Sequence, residues 1–75
     1  MIDNLKKIIN IVLENSAMKP VSALLPEHHL RNDLGLESLA LAELTVRVEE
    51  CYGVDVFEDG IVDTVQEILD KLPRE

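Results

Sequence analysis

The stretch "NDLGLESLALAEL", Asn32 to Leu44, is where an irregular length of chain turns into a helix. Pro20, Pro26 and Gly35 punctuate the chain before and within it. From Ser38 onward the apolar residues fall into helical spacing. Leu41, Leu44, Val48 and Tyr52 lie at i, i+3, i+7 and i+11 on one stripe, with Leu39, Ala42 and Val46 widening it. The spacing predicts a helix over 38–52. Gly53 follows as its natural stop, because glycine adopts the left-handed conformation that closes a helix. So wide a stripe marks the central helix of an all-α fold.

Upstream, Leu5, Ile8, Ile9, Val12 and Leu13 share one helical face. Asp3 is placed to accept a bond from a free backbone N–H as the N-cap. This helix should fade near Asn15 or Ser16, before Pro20. Residues 17–36 have no sustained periodicity. They form a long loop, which Leu24, Leu25, Leu30, Leu34 and Leu36 should pin against the helices. Downstream, Asp63 or Thr64 can cap a last helix, with Gln66 or Glu67 three residues on as capping-box partner. Val65, Ile68, Leu69 and Leu72 form its apolar face, and Pro73 follows its end. Between these two helices Val54, Val56, Ile61 and Val62 should be buried, and Gly60 limits the segment to one short helical turn. The expected architecture is a small four-helix bundle, three long helices plus one short, forming one domain over 1–75.

Composition excludes several classes of function. The 75 residues can bury only a thin core. Tyr52 and Phe57 are the only aromatics, too few for a base-stacking platform. The net charge of −8 repels nucleic acid and anionic membrane surfaces. Three lysines against two carboxylates leave residues 1–25 at +1, so the remainder carries −9. That acidic remainder favours basic protein partners. A single cysteine, Cys51, permits no internal disulfide. The start "MIDNLKKIINIVLENS" is interrupted at helical spacing, unlike a secretory signal, and no apolar run reaches membrane-spanning length. These features describe a cytoplasmic protein in a reducing compartment.

No catalytic constellation stands out. His28 and His29 are adjacent in the loop beside Glu27, with no converging ligands, and read as solvated residues. Cys51 reads as a small buried or half-buried residue rather than a nucleophile. "DVFEDGIVDTVQ", Asp55 to Gln66, has the spacing of a calcium loop. It places Phe57 at position 3, however, and Gln66 where the bidentate glutamate belongs. Neither an enzyme nor a metal site is expected. Glu43, Glu49 and Glu50, with Glu37 at the helix start, form either an ordinary solvated face or a docking surface for a basic partner. Ser38 is either a helix cap or a modified residue. Gly35 frees the backbone upstream of it, and Leu36 and Leu39 flank it with apolar surface. The helix N-terminus behind it favours a phosphate ester.

At this point a resemblance bears on the choice. "DLGLESLALAEL" resembles the attachment motif of acyl carrier proteins, D-L-G-x-D-S-L followed by an acidic helix. The likeness extends over nearly the whole chain, from the amphipathic first helix to "TVQEILDKL" at the end. It implies that a phosphopantetheinyl transferase moves 4′-phosphopantetheine from coenzyme A onto Ser38. The arm's thiol then holds acyl groups as thioesters, and the carrier does no chemistry itself. Glu37, Glu43, Glu49 and Glu50, with Leu39 beside the serine, match the positions that dock on basic patches of acyl-loading and acyl-transfer enzymes. Those enzymes would belong to fatty-acid or polyketide-type biosynthesis, met by a monomeric carrier whose helices shelter the acyl chain. Three residues depart from the family pattern: Glu37 stands for the usual Asp, Ala40 for a frequent acid, and Arg47 adds a positive charge. With a short segment before the last helix, they imply a specialised pathway. Peptidyl or aminoacyl carriers resemble the chain too, though "GLESL" has an acid before the serine as acyl carriers do. An unmodified acidic helical adaptor, in which Ser38 is only a cap, is the alternative from a different class.

Overall fold

The computed structural model describes residues 2–58, 60 and 62–73. Among them are three helices: α1 (Ile2–Asn15), α2 (Ser38–Tyr52) and α3 (Val65–Lys71). α1 buries Leu5, Ile8, Ile9, Val12 and Leu13, the face its periodicity marks. α2 lays Ala40, Leu44 and Val48 against it. Val65 and Ile68 of α3 close the core. No polar or charged residue is buried among the described residues. The core is therefore held by apolar burial, each filled aliphatic position contributing roughly 1.5–3 kcal/mol. Among the described residues no helix is long and apolar enough to cross a membrane.

The long loop belongs to the core. Leu24, Leu30, Leu34 and Leu36 are all buried. Leu25 is not: it stands 47% exposed, because the turn that aims Leu24 inward aims its neighbour out. Backbone bonds sew the loop to the start of α3. Leu30 N–H donates to Asp63 O (2.8 Å), Val65 N–H to His28 O (3.0 Å) and Gln66 N–H to Pro26 O (2.9 Å). His29 and Thr64 face each other across an isolated antiparallel bridge. Gln66 N–H is one of the donors at the head of a helix that have no intrahelical partner, so the loop helps to cap α3. Thr64 is the N-cap itself, its oxygen accepting from Glu67 N–H (3.2 Å). Glu67 reaches back to accept from Asp63 N–H (3.3 Å). The capping-box partner is thus Glu67, not Gln66.

Several boundaries differ from expectation. Asp3 is not an N-cap. α1 already includes Ile2, and Asp3 sits in the first turn, where its charge suits the positive end of the helix. α1 ends through Ala17, which takes a left-handed φ of 60° while Met18 N–H donates back to Leu13 O (2.8 Å). Leu39, Ala42 and Val46 do not widen the buried stripe of α2. Leu39 is 88% and Val46 56% exposed, because α1 and the loop cover only the opposite face. Cys51 is exposed, not buried. Val56 and Val62 are buried and Val54 is half-buried. The expected short helix between α2 and α3 is not found among the described residues. Val56–Glu58 form a turn, with Asp55 Oδ1 accepting from Phe57 N–H (3.0 Å) and Gly60 N–H donating to Phe57 O (3.1 Å). Ile61, expected to be buried, lies outside the described residues.

Candidate functional site

Ser38 is the first residue of α2, and the cap before it is Glu37, in extended conformation at φ −107° and ψ −176°. Among the described residues no side chain caps this helix end. Ser38 is therefore not the N-cap, and among the described residues its exposed hydroxyl has no hydrogen-bond partner. The first intrahelical bond runs from Leu41 N–H to Glu37 O (2.8 Å). The N–H groups ahead of it are left to solvent or a ligand, at the positive end of a helix 15 residues long.

The loop residues before Ser38 hold it in place. Leu36 is fully buried, and its N–H donates to Leu30 O (2.9 Å). Gly35 has φ +76° and donates to Arg31 O (3.1 Å). The chain thus turns sharply at Gly35, anchors at Leu36 and surfaces at Glu37–Ser38. A side chain at Gly35 would run into Met18 Cε. Met18 is flexible and can move aside, but the left-handed backbone cannot be relieved in this way. Gly35→Ala should lower stability by about 1–2 kcal/mol. Thermal unfolding should show it as roughly 4–8 °C in Tm per kcal/mol.

Two open hollows flank Ser38. One of about 350 Å³ lies toward Leu41, Ala42, Thr45 and Phe57. The other, about 770 Å³, lies toward Met18, Gly35, Glu37 and Leu39. Both are also lined by Arg31. An accessible serine hydroxyl at a helix N-terminus, with apolar surface beside it, fits a phosphodiester-linked arm. A third hollow, near Cys51 and Tyr52, is at the other end of α2.

The carboxylates are not equivalent. Glu37, Glu49 and Glu50 are exposed. Glu43 is engaged: its Oε2 accepts from Arg47 Nε (2.8 Å) and from Asn15 Nδ2 (2.8 Å), tying α2 to the end of α1. The Arg47 hydrogen bond, then that of Asn15, holds the Glu43 carboxyl below its ordinary range. The stabilisation from this contact is present at neutral pH. It fades as pH falls below the usual carboxylate range and through the lowered pKa of the folded state. The Tm difference between the parent and Glu43→Gln should therefore shrink on acidification, and a pH-independent difference would remove this contact from the stability of the fold. Of the sequence-marked site residues, Glu37, Ser38 and Leu39 come together at the head of α2, and Glu49 and Glu50 lie toward its end. Arg31 and Met18 were not marked. They carry no local signal, and only the folded loop brings them beside Ser38.

Comparison with known proteins is specific. The pattern of the family described as "Phosphopantetheine attachment site" matches residues 6–72. The chain is 30% identical over 71 residues to an acyl carrier protein of Amoebophilus asiaticus, covering 92% of this chain and 88% of that one. It is 34% identical over 71 residues to acyl carrier protein 3 of Ralstonia nicotianae, covering 92% and 77%. Over 40 residues it is 50% identical to the actinorhodin polyketide synthase acyl carrier protein of Streptomyces coelicolor, covering 51% and 46%. No solved structure matches it.

Proposed function

Because the chain belongs to the phosphopantetheine attachment family, as an acyl carrier and not an enzyme, we propose that Ser38 is the residue that bears its arm. The covalently attached 4′-phosphopantetheine of this family supplies a thiol that holds acyl groups as thioesters. The single observation that carries the assignment to Ser38 is its place at the head of α2, exposed and, among the described residues, without a hydrogen-bond partner for its hydroxyl. Gly35 and Leu36 hold the backbone there, and Ser38 itself offers a free hydroxyl to the transferase. Incubation with coenzyme A and a phosphopantetheinyl transferase should add one phosphopantetheine to the intact mass. Folded protein that gains nothing with its own organism's transferase would overturn the assignment.

Docking on transferase and acyl-handling enzymes uses the exposed side of α2. Leu39 and Val46, seven residues apart, lie on one face of the helix and stay out of the core. Glu37, Glu49 and Glu50 supply exposed carboxylates at its two ends. Glu43 takes a smaller part, since its charge is already matched by Arg47. Charge reversal at Glu49 and Glu50 together should slow loading roughly tenfold at low salt. Added salt should slow the parent in the same way. Insensitivity to both would take the acidic face out of docking.

The carrier acts as a monomeric cytoplasmic domain over 1–75, since two copies meeting through the α2 face would oppose like charges. One short helical turn between α2 and α3 is the fourth element of the proposed bundle, a reading that the turn at Val56–Glu58 supports. Glu37 in place of the usual aspartate, and Arg47 bound to Glu43, support partners specialised for a pathway other than bulk fatty-acid synthesis.

A further inference from the structure

We propose that Arg31 is a positioning residue that pairs with the phosphodiester at the root of the arm; this rests on Ser38 being the attachment point. Loading Ser38 puts a permanent negative charge beside the exposed carboxylate of Glu37, in a chain whose net charge is already −8. Groups of the protein that offset this charge would hold the root of the arm in place. The free N–H groups at the head of α2 can supply part of that compensation. A cation can add to it, and the surroundings of Ser38 offer one. Among the described residues Arg31 is the only basic residue lining either hollow beside Ser38, and it lines both. Its guanidinium makes no ion pair or hydrogen bond among the described residues, whereas Arg47 is held by Glu43.

The backbone fixes Arg31 in this place. Its carbonyl accepts from Gly35 N–H (3.1 Å), and Asp33 closes the preceding turn, its N–H donating to His29 O (3.0 Å) and its Oδ2 accepting from His29 N–H (2.7 Å). Arg31 thus stands on a braced turn while its side chain remains exposed. An arginine there can reach phosphate oxygens with two N–H donors at once, which lysine cannot do. Such pairing fixes the first bonds of the arm at the boundary between the two hollows. It orients the root of the arm without taking part in acyl chemistry.

The test uses the full chain loaded from coenzyme A, in parent, Arg31→Gln and Arg31→Lys forms. Intact mass confirms loading, ³¹P resonance reads the phosphodiester, and the arginine Nε–Hε signals read the guanidinium. Loading should shift the Arg31 Nε–Hε signal in the parent. The ³¹P position should differ between parent and Arg31→Gln, and the difference should collapse at high salt, where exposed charges are screened within a few ångströms. Arg31→Lys should restore the shift in part. All three proteins should melt alike, since Arg31 is exposed. Identical ³¹P positions and salt responses in loaded parent and loaded Arg31→Gln would overturn the pairing and leave Ser38 standing. Failure of the parent to gain mass would overturn the attachment point, and the pairing with it.

Discussion

Ser38→Ala should abolish loading completely while moving stability by no more than about 0.5 kcal/mol, the range for surface substitutions away from special features. The size of the functional effect follows from chemistry: no other atom at the head of α2 can form the phosphate ester. The smallness of the stability effect follows from geometry. Glu37 holds the cap position, and among the described residues the serine hydroxyl has no hydrogen-bond partner. Were Ser38 a capping residue, alanine would cost about 1 kcal/mol. Intact mass after transferase treatment, beside a thermal melt of each protein, separates the two roles. A marked loss of Tm in Ser38→Ala would restore the cap. Full loading of that variant would move the attachment elsewhere.

Leu36→Ala has the opposite profile. Leu36 is fully buried and its N–H is bonded to Leu30 O (2.9 Å), so truncation leaves a cavity in the core. The expected loss is about 2–5 kcal/mol. At roughly 0.05–0.15 kcal/mol per residue, the whole domain has only about 4–11 kcal/mol of stability. The loss is therefore a large fraction of the total, a fall in Tm of roughly 10 °C or more. Denaturant unfolding followed by helical circular dichroism measures it. A loss below about 1 kcal/mol would mean that the loop is not part of the core, and that Glu37–Ser38 are not anchored through Leu36.

Most of the helical frame was legible because it rests on short-range spacing. The 38–52 helix, its stop at Gly53 and the buried face of α1 all follow from period and turn chemistry. The leucine-rich loop was legible as a buried element, though not residue by residue. Leu25 and Leu24 have the same composition signal and opposite orientations, which only the loop's bonds to α3 decide. Leu39 and Val46 show the same limit in α2. Apolar type suggested burial, but a helix covered on one side leaves its other apolar residues exposed. Asp3 was misplaced because capping signals locate helix starts only to within a residue or two. In the site, Ser38 was marked by its local sequence and by the family likeness. Arg47 entered only as an added positive charge; its i, i+4 pairing with Glu43 and the bond from Asn15 came with the folded structure. Arg31, seven residues before Ser38 and across a turn, had no signal short of the fold.

The attachment point can be located by tryptic mapping of the loaded protein. Cleavage after Arg31 and Arg47 releases residues 32–47, which contain Ser38 and neither of the other serines, Ser16 and Ser22. The expected result is one phosphopantetheine on that peptide, with fragment ions placing it on Ser38. Phosphopantetheine on any other peptide, or a folded chain that its own transferase cannot load, would contradict Ser38 as the residue through which this carrier works.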